Sequence, residues 1–201
     1  MGPFSIAVDW ITDKLYIVQK SLARIDIFTS DGKNRTDIIS SNIFSPNSIA
    51  LDPIENFLFF TDSGNPRNKL QKPKIERSFM DGTGRHVIVS DKLIQPNALS
   101  IDPVKKHLFW IDLKYDHLET CDYYGSKRRI IASGSNNLPH SISLDIFENT
   151  IYYADLTKMA IMKLQRHAVT SPANITYHYK FNGNSKYLQI LIKVNNTYSN
   201  R

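Results

Sequence analysis

Three pairs of aspartates stand ten residues apart: Asp52 and Asp62, Asp102 and Asp112, Asp145 and Asp155. Two carboxylates at a fixed spacing can hold a divalent cation or share the roles of general acid and general base. They can also do plainer work, because an aspartate at a strand end accepts N–H groups from the turn beside it. The recurrence favours the plainer role. A chemical centre needs one such pair, whereas a structural frame needs one in every repeat. All six are therefore expected to cap turns and tie neighbouring repeats together.

The frame that positions them is an internal repeat. "PFSIAVD" ends at Asp9, "PNSIALD" at Asp52, "PNALSID" at Asp102 and "PHSISLD" at Asp145. Ten residues after each aspartate comes Gln19, Asp62, Asp112 or Asp155, closing the apolar runs "LYIV", "LFFT", "LFWI" and "IYYA". A third run holds Ile25, Ile75, Leu118 and Ile161. The starts are 43, 50 and 43 residues apart, and the longer step is a loop-like insertion, "SGNPRNKLQKPK". A period of about 40–45 residues with several short strands is the signature of a β-propeller blade. In the second repeat the four strands are predicted near residues 48–51, 57–61, 75–80 and 86–89. Asp52-Pro53 and Asp102-Pro103 supply the turns after the first strand, and Asp31-Gly32 and Asp81-Gly82 those before the fourth. The fold class is all-β.

Composition narrows the remaining choices. The 201 residues are 41% hydrophobic and 11% aromatic, enough for a substantial core. No run reaches the roughly 18 apolar residues of a membrane span, and "MGPFSIAVDW" lacks the pattern of a signal peptide. The net charge is +6, but no zinc-ligand spacing or aromatic RNA motif accompanies the basic residues, so nucleic acid is not an expected partner. The lone Cys121 falls in a third strand and is expected to be a buried thiol. Sequons at Asn34, Asn174 and Asn195 are glycosylation candidates if the chain meets the secretory pathway.

"LFFTD", "LFWID" and "IYYAD" resemble the YWTD element of the low-density lipoprotein receptor class B repeats. "KIERSFMDGTGRHVIV" and "HLETCDYYGSKRRII" fit the same blade template. The resemblance covers residues 3–165 in four registers, and is nearest to the giant endocytic receptors related to the lipoprotein receptor. It implies a YWTD-type propeller of six blades, of which about four are present here as an incomplete ring. The repeats are then 3–45, 46–95 with an insertion at 63–74, 96–138 and 139–180. Residues 181–201 would form a closing strand and tail, and the outer faces of the first and fourth repeats would be left apolar.

The resemblance also implies a function. The module would handle protein ligands in the ectodomain of a single-pass plasma-membrane receptor, binding them and favouring release in acidic endosomes, beside neighbouring receptor modules. It implies no catalysis, no direct membrane contact and no cofactor; calcium belongs to neighbouring cysteine-rich modules that this chain lacks. In a four-stranded meander, the loop entering the inner strand and the loop leaving the second share one face. In peptide-binding relatives that face carries the site. The matching positions are Ser45, Asn47, Ser63, Gln95, Asn97, Lys114, Tyr115, Leu138, His140 and Thr157. Several are Trp in those relatives but Ser45, Ser63 and Gln95 here, and aromatic anchors dominate many interfaces. Asn47 and Asn97 fit loop capping equally well. His140 replaces the repeat's Asn with a side chain that titrates near endosomal pH. The alternatives are a propeller hydrolase of the lactonase type and a matrix propeller of the nidogen type. The inner strands, mostly Ser, Ile, Ala and Leu, disfavour the hydrolase.

Overall fold

A computed structural model of the chain describes residues 3–133, 141–147, 149–155, 160–165 and 175–180. Sixteen strands and one short 3-10 helix, Lys20–Leu22, are assigned among them. The strands form four antiparallel sheets of four, each wound in sequence order. Blade one holds β1 (Ser5–Asp9), β2 (Lys14–Gln19), β3 (Arg24–Thr29) and β4 (Arg35–Ile39). Blade two holds β5 (Pro46–Asp52), β6 (Phe57–Asp62), β7 (Lys74–Phe79) and β8 (His86–Val89). Blade three holds β9 (Pro96–Asp102), β10 (His107–Asp112), β11 (His117–Asp122) and β12 (Arg129–Ser133). Blade four holds β13 (Ser141–Phe147), β14 (Thr150–Asp155), β15 (Ala160–Gln165) and β16 (Ile175–Lys180).

The predicted strand pairs superpose in register. Ile49 faces Phe60 and Asp52 faces Phe57 in blade two; Leu99 faces Trp110 and Asp102 faces His107 in blade three. The inner strands β1, β5, β9 and β13 pack in succession, as a radial arrangement requires. Between the sheets lie three apolar layers. Tyr16, Val18 and Ile25 of blade one meet Ile49, Leu58 and Phe60 of blade two. Phe59 and Ile75 meet Leu99, Leu108 and Trp110. Phe109, Ile111 and Leu118 meet Leu144, Ile151 and Tyr153. Alternation along each strand thus serves two layers, one per face, which is why these strands read as unbroken apolar runs. Cys121 is fully buried, and burial pushes its thiol up to about 12.

One irregularity repeats. In every blade the outer strand is bulged at the same step, between Ile25/Asp26, Ile75/Glu76, Leu118/Glu119 and Ile161/Met162 of its partner. The bulge turns a carbonyl towards the next blade, and a turn glycine there makes room for it. A Cβ on Gly82 would lie 2.2 Å from the Ile38 carbonyl oxygen, and one on Gly125 2.1 Å from that of Ile88. Both glycines have positive φ, at +85° and +83°, which suits glycine twice over.

The first blade turns an apolar face outward. Ile6 and Val8 are 42% and 50% exposed, whereas their counterparts Ile49 and Leu51 in blade two are 5% and 7% exposed. The insertion after Asp62 is an ordered loop: Asn65 N donates to Gln71 O and its Nδ2 to Gln71 Oε1.

Candidate functional site

The ten-residue aspartate pairs are not pairs in space. Asp52 sits at the end of β5 opposite Phe57, while Asp62 sits at the far end of β6 opposite Pro46. A six-residue strand separates them by about 17 Å. Asp102 and Asp112 repeat the arrangement. Each carboxylate serves its own end. Asp9 accepts N–H bonds from Ile11 and Thr12, Asp52 from Glu55, and Asp102 from Val104 and Lys105, so the first aspartates hold the turns after the inner strands. Asp52 and Asp145 also reach into blade three, where they accept from Lys106, Tyr123 and Ser100.

The second aspartates build the opposite end, where the ligand positions were placed. Buried Asp62 accepts from the N–H groups of Phe44, Ser45 and Gly64. Buried Asp112 accepts from Ile94, Gln95, Lys114 and Tyr115. Ser63 N donates to Ser45 O and Leu113 N to Gln95 O, each at 3.0 Å. The loop entering the inner strand and the loop leaving the second strand are therefore stitched together around one carboxylate. That places Ser45, Ser63, Gln95, Lys114 and Tyr115 on a common face, as the meander implied. Lys114 and Tyr115 are exposed there, with the Tyr115 ring stacked on His117 at 5.6 Å.

Asn47 and Asn97 are different. Both are buried. The Asn47 side-chain amide donates to Ser63 Oγ at 2.6 Å and to the Pro96 carbonyl of the next blade at 2.8 Å, and the Asn97 backbone carbonyl accepts from Thr61 Oγ1 at 2.8 Å. The Asn47 side chain thus joins two blades beneath the face, which is the capping role, whereas at Asn97 the link to the neighbouring blade is made by the main chain. Leu138, His140 and Thr157 lie outside the described residues, as do Asn174 and Asn195 and the closing strand. Asn34 is exposed in the turn before β4. Among the described residues no three His, Cys, Asp or Glu side chains come together.

Blade one departs from the pattern in a useful way. Gln19 takes the place of Asp62 and Asp112, and Lys20 that of Ser63 and Leu113. Lys20 Nζ donates to Asn47 Oδ1 and stands 4.4 Å from the centre of the Phe4 ring. Half-burial lowers its pKa.

A second recurring device was not singled out from the sequence. Glu76 and Glu119, buried in the third strands, are gripped by both arms of Arg85 and Arg128, nine residues further on. The remaining arginine N–H groups reach the linker entering the blade, at Ser41 and Asn42 for Arg85 and at Asp91 and Lys92 for Arg128. In blade one Asp26, one methylene shorter, has Arg24 and Arg35 within ion-pair distance but receives no aligned hydrogen bond. In blade four Met162 fills the same buried position. The nine-residue spacing between acid and arginine was present in three repeats and could have found them.

This repeated blade has known relatives. Residues 56–103 match the model of the low-density lipoprotein receptor repeat class B. The vitellogenin receptor Yl of Drosophila melanogaster is 32% identical over 154 residues, which is 77% of this chain. Residues 56–103 are a low-density lipoprotein receptor class B repeat by this match, and the chain as a whole is similar to a receptor of that kind. It spans 7% of the length of that receptor. The propeller in a crystal structure of a nidogen/laminin complex superposes with a TM-score of 0.64 at 23% identity, covering 84% of this chain and 77% of that one. An auxiliary nutrient binding protein from Bacteroides thetaiotaomicron gives 0.68 at 9% identity, covering 88% of this chain and 41% of that one. At these identities the two structures speak for the fold. In class B terms, the carboxylates ending "LFFTD" and "LFWID" are Asp62 and Asp112, and both are consumed in fixing loops.

Proposed function

We propose that this class B propeller segment is a non-enzymatic ligand-handling module in the ectodomain of an endocytic receptor related to the lipoprotein receptor. Its ligands are proteins, and its binding face is the one around Asp62 and Asp112. The observation that supports this reading is the division of labour there. The buried carboxylates are spent on backbone N–H groups, which hold the loops carrying Ser45, Ser63, Gln95, Lys114 and Tyr115 as a platform. The receptor setting rests on the likeness to the vitellogenin receptor. No helix among the described residues is long and apolar enough to cross a membrane, and the segment is assigned no membrane contact of its own.

Release in acidic endosomes belongs to the same reading. The repeat puts His140 where Asn47 and Asn97 stand in the earlier blades. Its imidazole changes charge near endosomal pH.

The test is site-directed photo-cross-linking in medium from cells that secrete candidate ligands. Cross-linkers at Ser63 or Gln95 should capture the same protein, whereas cross-linkers at Ile54 or Val104, on the turns at the other end, should not. Equal capture at both ends would sink the assignment of the face. Loss of capture between neutral and endosomal pH should be abolished by His140→Asn; a variant that still releases in acid would remove the histidine from the reading.

A further inference from the structure

Among the described residues Lys20, like Arg77 and Lys163, is partly buried without an ion pair, and of the three it is the one on the assigned face. Lys74, Arg85, Lys106 and Arg128 are each partly buried, and each meets a carboxylate within ion-pair distance. Lys20 is also half-buried, yet among the described residues it meets none. Outside those residues the sequence holds one acidic side chain, Glu148.

The geometry around the ammonium is fixed. Asn47 Oδ1 takes one of its three N–H groups, and the Phe4 ring covers one side. Asn47 cannot swing away, because its own amide is held by Ser63 Oγ and the Pro96 carbonyl. A partly desolvated ammonium with donors to spare and no internal anion gains most from an external carboxylate.

The surroundings extend the argument. The loops of this face also present Arg67, Lys69, Lys72, Lys92 and Lys114, all exposed. Against them stand Asp91, which is paired with Arg128, and Asp116. The two aspartates closest to the strands, Asp62 and Asp112, are buried under their loops.

We infer that the partner of this face is an acidic protein segment, with one carboxylate seated on Lys20 beside Asn47 and further acidic side chains over the surrounding lysines. The inference rests on the binding face assigned above and names the chemistry of what that face takes. A single confined ammonium with a directional neighbour suits one side-chain carboxylate better than a uniform polyanion, for which exposed lysines alone would serve.

The experiment uses the full chain and a fluorescent Glu-rich peptide, with its all-Gln counterpart and heparin as comparators, read by anisotropy at physiological salt. The Glu peptide should bind and the Gln peptide should not. Lys20→Gln should weaken binding by about tenfold, the value of one well-placed charge pair. Lys14→Gln, which removes an equal charge at the other end of β2, should change it by less than about twofold. In the unmodified chain, the Glu peptide should also protect Lys20 from acylation by an active ester, as read by mass spectrometry. That measurement needs no variant to fold. Equal effects of the two lysine variants, binding of heparin without the Glu peptide, or acylation of Lys20 unchanged by the peptide would each overturn the inference. If photo-cross-linking still marks the face while the Glu peptide fails, only the acidic partner falls and the face stands.

Discussion

Tyr123 of blade three donates its phenolic proton to Asp52 of blade two across 2.9 Å, in a contact between residues 71 positions apart. Asp52 is fully buried, and Lys106 reaches the same oxygen at 3.1 Å while also meeting Glu55. The phenol packs on the Phe59 ring at 4.6 Å. Burial, followed by the hydrogen bond to Asp52, holds the Tyr123 pKa well above the ordinary tyrosine range.

Tyr123→Phe keeps the ring and removes the donor, leaving part of a buried carboxylate's demand unmet. The expected cost is about 2 kcal/mol in urea unfolding. The folded phenol binds its proton more tightly than the unfolded one, so stability is full below pH about 10 and falls as pH rises towards the folded pKa. The variant should lose that part of the alkaline slope. An unchanged slope would mean the bond contributes nothing.

The grip of Arg128 on Glu119 calls for a paired test. Arg128→Met strands a buried carboxylate and should cost about 3–5 kcal/mol. Adding Glu119→Met should recover most of the loss, because blade four already carries buried Met162 in that position. A double variant as unstable as the single one would show that the arginine acts mainly through the linker carbonyls of Asp91 and Lys92.

Ile6 and Ile49 occupy the same repeat position with opposite exposures. Ile49→Ala opens a void between blades one and two and should cost about 3 kcal/mol. Ile6→Ala should cost less than about 1 kcal/mol, since water already reaches it. Comparable losses, measured by denaturation of the 201-residue chain, would show that the first blade's outer face is covered in solution.

Asp145 carries a pH signature of its own. Burial raises its pKa, against the opposing pull of the Ile146 N–H and Ser100 hydroxyl. Its folded pKa lies above the unfolded one, so its contribution to stability is full below the unfolded value, about 3.9, and is lost as pH rises through the folded value. Protection of β13 and β14 from hydrogen exchange, taken relative to the intrinsic rate at each pH, should therefore rise on mild acidification, and Asp145→Asn should remove the rise. Protection that falls in acid, unaltered by the substitution, would contradict this.

How much of this was legible without coordinates depended on distance along the chain. The four strands of each blade, the Asp-Pro and Asp-Gly turns and the ten-residue aspartate frame were all readable, because hairpin register and turn capping are set by neighbours a few residues apart. His86–Val89 was placed to the residue, and the other strands of that blade to within two. The shared face followed from the meander for the same reason.

What joins one blade to the next was decided only in three dimensions. Asn47 and Asn97 read as equally good for ligand contact and for capping, and only the approach of Pro96 put the Asn47 amide in the second role, while Asn97 is buried with its main-chain carbonyl held by Thr61. Nothing local shows that Asp52 will meet Tyr123, or that Lys20 will be sheltered by Phe4 and Asn47. The sequence by itself determined the blade, its period and its turns, because each is closed by short-range geometry. Tertiary structure alone decided which polar groups are satisfied across blades, because that depends on how two repeats pack, and a hydrogen bond is made or lost within less than 1 Å.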